Sequence, residues 1–217
     1  MPDTPEVRID VAGVQLPGTL HLPVDAAGIV LFAHGSGSSR LSPRNVAVAR
    51  HLNAGGVGTL LFDLLTPREA DDRARVFDID LLAARLAGAT RWLQERVDLA
   101  PMPLGYFGAS TGAAAALQAA AELPGEVAAV VSRGGRPDLA MDHLGAVTAP
   151  TLLIVGSRDR QVLELNERAR QRLTCPSELA IVHGATHLFE EPGALEEVAE
   201  LAREWFSRHL TRASSRP

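Results

Sequence analysis

Lysine is missing from the chain altogether: all 21 of its Lys-plus-Arg side chains are arginine. That excludes Schiff-base catalysis and the phosphate-binding lysine of a P-loop. A single cysteine, Cys175, excludes an intramolecular disulfide framework and fits a reducing, cytoplasmic setting. Long apolar runs are absent as well. "IVLFA" and "LLIV" fall far short of the ~20 residues a spanning helix needs. The opening "MPDTPEVRID" has neither a basic n-region nor an apolar h-region, so no secretory signal is expected. Positive charge is in the minority, and the net charge of −5 argues against nucleic acid or an anionic membrane as the main partner.

What remains is ordinary globular composition, 46% hydrophobic and 22% charged, in a length that suits one domain over 1–217. Residues 7–23 read as an antiparallel hairpin around a Gly-containing turn. The later strands are different. "GIVLFAHG", "VGTLLFDL", "PLGYFGAS", "EVAAVVSRGG" and "APTLLIVGSRD" are continuously apolar, the pattern of strands buried on both faces, and "SELAIVHG" closes the series. Helices alternate with them. One begins near Pro43 and stops at Gly55-Gly56. A second, over 77–97, carries the stripe Ile79, Leu82, Leu86, Ala89, Leu93 and Val97. An alanine-rich helix spans 112–122, "RQVLELNERARQRL" forms another, and a last amphipathic one runs through Leu195, Val198, Trp205 and His209. This alternation predicts an α/β fold: a mostly parallel central sheet, an antiparallel N-terminal hairpin and helices on both faces. The polar tail, about 211–217, is expected to fray.

Open parallel sheets bind ligands at the carboxyl ends of their strands, so the residues just past each strand matter most. There lie "HGSGSSR", Gly108-Ala109-Ser110, "GSRD" ending in Asp159, and "HGATH" ending in His187. Ser110 stands in Gly108-Ala109-Ser110-Thr111-Gly112, a G-x-S-x-G pattern between a strand and a helix. Alone, the pattern fits a helix N-cap as well as a nucleophile. The flanking elements, a base and an orienting acid in the chain order Ser110, Asp159, His187 favour the nucleophile. Imidazole is suited to take the serine proton and return it to a leaving group, and the aspartate would fix its tautomer. The competing His183, at a strand end, is read as structural. Asp63 and Asp138 also follow strands and rank below Asp159. Backbone N–H groups of Ser36 and Thr111 are the expected oxyanion hole. "GSGSSR" lacks the G-K-[ST] ending of a P-loop and the third glycine of a dinucleotide fingerprint, and no metal site is expected.

With these residues in place the chain resembles the α/β-hydrolase superfamily over nearly its whole length, and more narrowly its small dienelactone-hydrolase-like branch. "HGSGSSR", "LFDLLT", "FDIDLLAARL", "GASTGAAAAL", "SRGGRPDLA", "TLLIVGSRD" and "GATHLFEEPG" carry the likeness. The resemblance implies an α/β-hydrolase fold, the triad Ser110–Asp159–His187 and an oxyanion hole at Ser36 and Thr111. It departs from true dienelactone hydrolases at the nucleophile, a cysteine there and a serine here. The stretch between "VVSRGG" and "TLLIVG" is too short for a helical cap, so an open site without a cap domain is expected. His34, Gly35 and Arg133 are expected against the substrate, with Arg133 and Arg136 able to meet an anionic one. The expected activity is cofactor-independent cleavage of carboxylic esters of small or exposed acyl groups. Thioesterase or lactonase chemistry on the same triad, or a non-catalytic binding protein on this fold, are the alternatives. A homodimer is left open as the assembly.

Overall fold

The computed structural model describes residues 6–99 and 101–210, so the expectation of a frayed 211–217 lies outside the described residues. One eight-stranded sheet organises the chain. The strands are β1 (Glu6–Val11), β2 (Val14–His21), β3 (Ile29–Ala33), β4 (Gly58–Phe62), β5 (Leu104–Ala109), β6 (Val127–Arg133), β7 (Thr151–Gly156) and β8 (Ser177–Val182). Their spatial order is β1-β2-β4-β3-β5-β6-β7-β8. β1 pairs antiparallel with β2, and β2 with β4; every later pairing is parallel. β3, β4, β5 and β7 are buried along their full length, as their unbroken apolar runs require. β8, at the sheet edge, is only half buried.

The helices are α1 (Pro43–Ala54), α2 (Pro67–Ala70), α3 (Arg73–Val76), α4 (Ile79–Gln94), α5 (Thr111–Glu122), α6 (Arg160–Arg170) and α7 (Ala194–His209). α1 and α7 cover one face of the sheet, where Val48, Leu52, Trp205 and Phe206 meet Phe32, Phe107 and Ile154. α4 and α5 cover the other, with Leu82, Leu86 and Leu117 against Ile29, Leu31 and Tyr106. The one tyrosine hydroxyl is buried and shares a 2.6 Å hydrogen bond with Thr90 Oγ1.

Two details differ from the sequence reading. Val97 does not belong to the α4 stripe: the helix ends at Gln94, and Val97 is 92% exposed in the turn beyond it. The helix also starts later than residue 77, because the Asp78 side chain accepts from Leu81 N–H and makes Asp78 the N-cap. The connection from β4 to α4 holds α2 and α3, two single turns the apolar periodicity does not mark. Between β6 and β7 lie only two 3-10 turns, Pro137–Ala140 and Leu144–Ala146, in place of a cap.

Candidate active site

Ser110 sits where β5 ends and α5 begins, and the two glycines of its motif are sterically demanded. A Cβ on Gly108 would lie 2.4 Å from Ala113 Cα; one on Gly112 would lie 2.2 Å from the Ala33 carbonyl oxygen. Strand and helix approach too closely for any side chain there, which is how the turn becomes sharp enough to lift the residue between them. Ser110 has φ 52° and ψ −121°, a conformation that costs a non-glycine residue ~1–3 kcal/mol. Its side chain makes no capping hydrogen bond. The N-cap reading of this serine is therefore overturned: the residue occupies the cap position without capping.

His187 and Asp159 are joined. The imidazole Nδ1–H donates to Asp159 Oδ2 at 2.6 Å, which leaves the Nε2 lone pair free to take a proton. Asp159 stands at the N-cap position of α6 and also makes no capping bond. It forms no salt bridge with the neighbouring Arg158 or Arg160, so its carboxylate is committed to the histidine. The loop that presents His187 is tied from both sides. Glu191 accepts from Thr186 N–H with both oxygens at 3.1 Å, and these bonds hold its carboxyl below the usual range. Glu190 pairs with Arg44 at 3.3 Å.

The segment 133–136 touches both Ser110 and His187. Ser110 N–H donates to the Arg133 carbonyl, and Arg136 N–H donates back to the Ser110 carbonyl. Directly above, Gly134 leaves room for the imidazole: a Cβ there would lie 3.2 Å from His187 O and 3.5 Å from Nδ1. Among the described residues no hydrogen bond yet joins Ser110 Oγ to the ring, a contact that commonly tightens only with substrate bound. The fully buried Asn166 of α6 anchors the segment by donating to Gly135 O at 3.0 Å. Sequence reading missed Asn166, since a polar residue in an amphipathic helix gives no sign of facing inward.

The loop after β3 closes the other side. A Cβ on Gly35 would lie 3.2 Å from Ser110 Cβ. Ser36 N–H donates to Thr111 Oγ1 at 2.8 Å. His34, expected against the substrate, turns both ring nitrogens to the backbone. Nδ1–H donates to Gly35 O at 3.0 Å, and Nε2 accepts from Leu64 N–H at 3.1 Å. Burial lowers its pKa, consistent with a neutral ring that fixes the loop. Beside this loop is a cavity of about 290 Å³, lined by the polar Ser36, Ser38 and Asp63 and by the apolar Leu65, Val76 and Leu82. Its outer wall comes from the β4–α4 connection.

The two competing acids are engaged elsewhere. Asp63 accepts from Arg40 N–H at 2.7 Å, Asp138 holds Arg136 through two 2.8 Å bonds, and His183 is exposed. Arg136 is thus neutralised locally. Arg133 is not. It is only 8% exposed, pairs with no carboxylate among the described residues, and reaches Asn45 Oδ1 at 3.4 Å. Burial and the nearby Arg44 push its pKa down to about 10, so it is still cationic at neutral pH. No cluster of metal-ligating side chains occurs among the described residues, nor any helix long and apolar enough to cross a membrane.

A family model described as an alpha/beta hydrolase domain matches residues 26–204, and the chain belongs to that family. A Mycobacterium tuberculosis (strain H37Rv) protein, provisionally named a phosphoribosyl transferase, is 60% identical over 205 residues. The match covers 94% of this chain and 46% of that protein, so the chain spans about half the length of this curated relative. Among solved structures, a dienelactone hydrolase from Anabaena variabilis is 57% identical with a TM-score of 0.92, covering 94% of this chain and 97% of the other. Est1E from Butyrivibrio proteoclasticus, at 18% identity and a TM-score of 0.80 over 94% and 98%, shares the fold.

Proposed function

We propose that the chain is a cofactor-independent serine hydrolase of small carboxylic esters. The observation that carries this reading is the strained Ser110 elbow beside a histidine already oriented by a partly buried aspartate. Ser110 Oγ attacks the ester carbonyl carbon while its proton passes to His187 Nε2. The carbonyl π pair moves onto oxygen, near the Thr111 amide and the Ser36 loop. As the tetrahedral intermediate collapses, the imidazolium protonates the leaving alkoxide, and Asp159 stabilises the ring cation throughout. Water then bonds through its oxygen to the acyl carbon while giving a proton to the same nitrogen, and the imidazolium returns that proton to Ser110 Oγ as the acid leaves.

The cavity of about 290 Å³ is at the small end for ligand sites and supports a short acyl group. Arg133, buried, bonded through its carbonyl to Ser110 N–H and with no carboxylate partner among the described residues, supports a substrate with an anionic group. Lactone cleavage on the same triad is the second reading, favoured by the name of the Anabaena relative. In the decisive comparison, p-nitrophenyl acetate and mono-p-nitrophenyl succinate are given to the wild-type chain and to Ser110→Ala. Both esters should be hydrolysed by the wild type, the succinate with the higher kcat/KM, and neither by the variant. Full activity in Ser110→Ala would sink the assignment.

A further inference from the structure

Building on the serine-hydrolase reading, we infer that the Thr111 hydroxyl is itself a donor to the oxyanion, with the Ser36 amide acting through it. Ser36 N–H is not a free donor, since it already ends on Thr111 Oγ1 at 2.8 Å. A hole built on two bare amides would first have to break that bond.

The hydroxyl, by contrast, has a proton to give. Thr111 is only 4% exposed, and among the described residues its Oγ1 accepts one hydrogen bond and donates none. Inside a helix, threonine usually donates to the carbonyl one turn back, as Thr90 does to Leu86 O at 3.0 Å. Thr111 is the first residue of α5, so no earlier helical turn exists to take its proton.

Oγ1 is three bonds from the residue's own nitrogen, and Ser36 N–H, the other amide expected to face the oxyanion, points straight at it, so the hydroxyl stands on the side where that oxyanion forms. Accepting from Ser36 N–H polarises that hydroxyl and strengthens what it donates. When Ser110 Oγ bonds to the carbonyl carbon, the negative oxygen receives two hydrogen bonds from one residue, N–H and Oγ1–H. The Thr111 proton stays on Thr111 throughout. Ser36 then serves as the fixed dipole behind the donor.

The test uses the full chain with p-nitrophenyl acetate and a boronic acid that mimics the tetrahedral adduct. Thr111→Val, which keeps the shape and removes the proton, should lower kcat about 100-fold, the range expected for one lost oxyanion donor, with KM within about threefold. Boronic acid affinity should fall with kcat, and Thr111→Ser should restore both to within about fivefold. Thr111→Ala carries the same expectation as valine and serves if the valine variant does not fold. A valine or alanine variant as fast as the wild type would show that the hydroxyl merely blocks the Ser36 amide. Equal losses in the serine and valine variants, with KM and Tm moving together, would show a loop support. Either result overturns the inference alone. A wild type inert to both the ester and a fluorophosphonate would instead overturn the hydrolase reading and this inference with it.

Discussion

At Ser110 the chain accepts local strain and leaves a half-buried hydroxyl without a capping bond. A left-handed φ of 52° on a serine that caps nothing has no stabilising purpose in the fold. Ser110→Gly should therefore abolish activity and yet raise stability by ~1 kcal/mol, the relieved strain less glycine's unfolded-state entropy, measured by urea denaturation. A variant less stable than wild type would mean that the turn is relaxed with serine in it. His34 makes the opposite kind of contribution. Its folded pKa is lowered by burial, so the unfolded chain binds more protons as pH falls below about 6.5. Stability owed to the neutral ring is whole above that value and declines as pH drops towards the folded pKa, by at most ~1.4 kcal/mol per pH unit. His34→Gln should flatten this part of the stability profile, and an unchanged profile would remove His34 from the account.

Elements explain why the serine sits where it does. α5 is buried from Thr111 to Ala120, and its small side chains let it lie close on the sheet. Gly112→Ala forces a methyl against the Ala33 carbonyl, backbone that has no easy retreat. It should cost ~3 kcal/mol or more in thermal unfolding and displace the Ser36 loop, so activity falls with stability. If Gly112→Ala unfolded like the wild type, the close approach of α5 to β3 would be in error. All eight strands and the five long helices α1, α4, α5, α6 and α7 were legible in the sequence, because apolar runs and stripes report burial directly. Single-turn helices report it weakly. α2 could have been found by its capping box, in which Thr66 and Glu69 satisfy each other's backbone N–H groups behind Pro67. That omission hid the wall of the cavity.

For the whole molecule, topology does most of the positioning. Ser110, Asp159 and His187 follow β5, β7 and β8, and the parallel register carries all three to one rim. The order of these residues along the chain was readable for that reason. Which donors are already engaged was not, since the 2.8 Å contact between Ser36 and Thr111 joins residues 75 positions apart. The same limit applies to Asn166 and to Arg133, whose roles depend on what burial leaves unpaired. Whether Ser110 is a nucleophile activated by His187 is decided by intact-mass analysis after treatment with a fluorophosphonate. One adduct per chain, mapped to Ser110 and lost in His187→Ala, is the predicted result; an unmodified wild-type chain, or labelling that survives in Ser110→Ala, would contradict it.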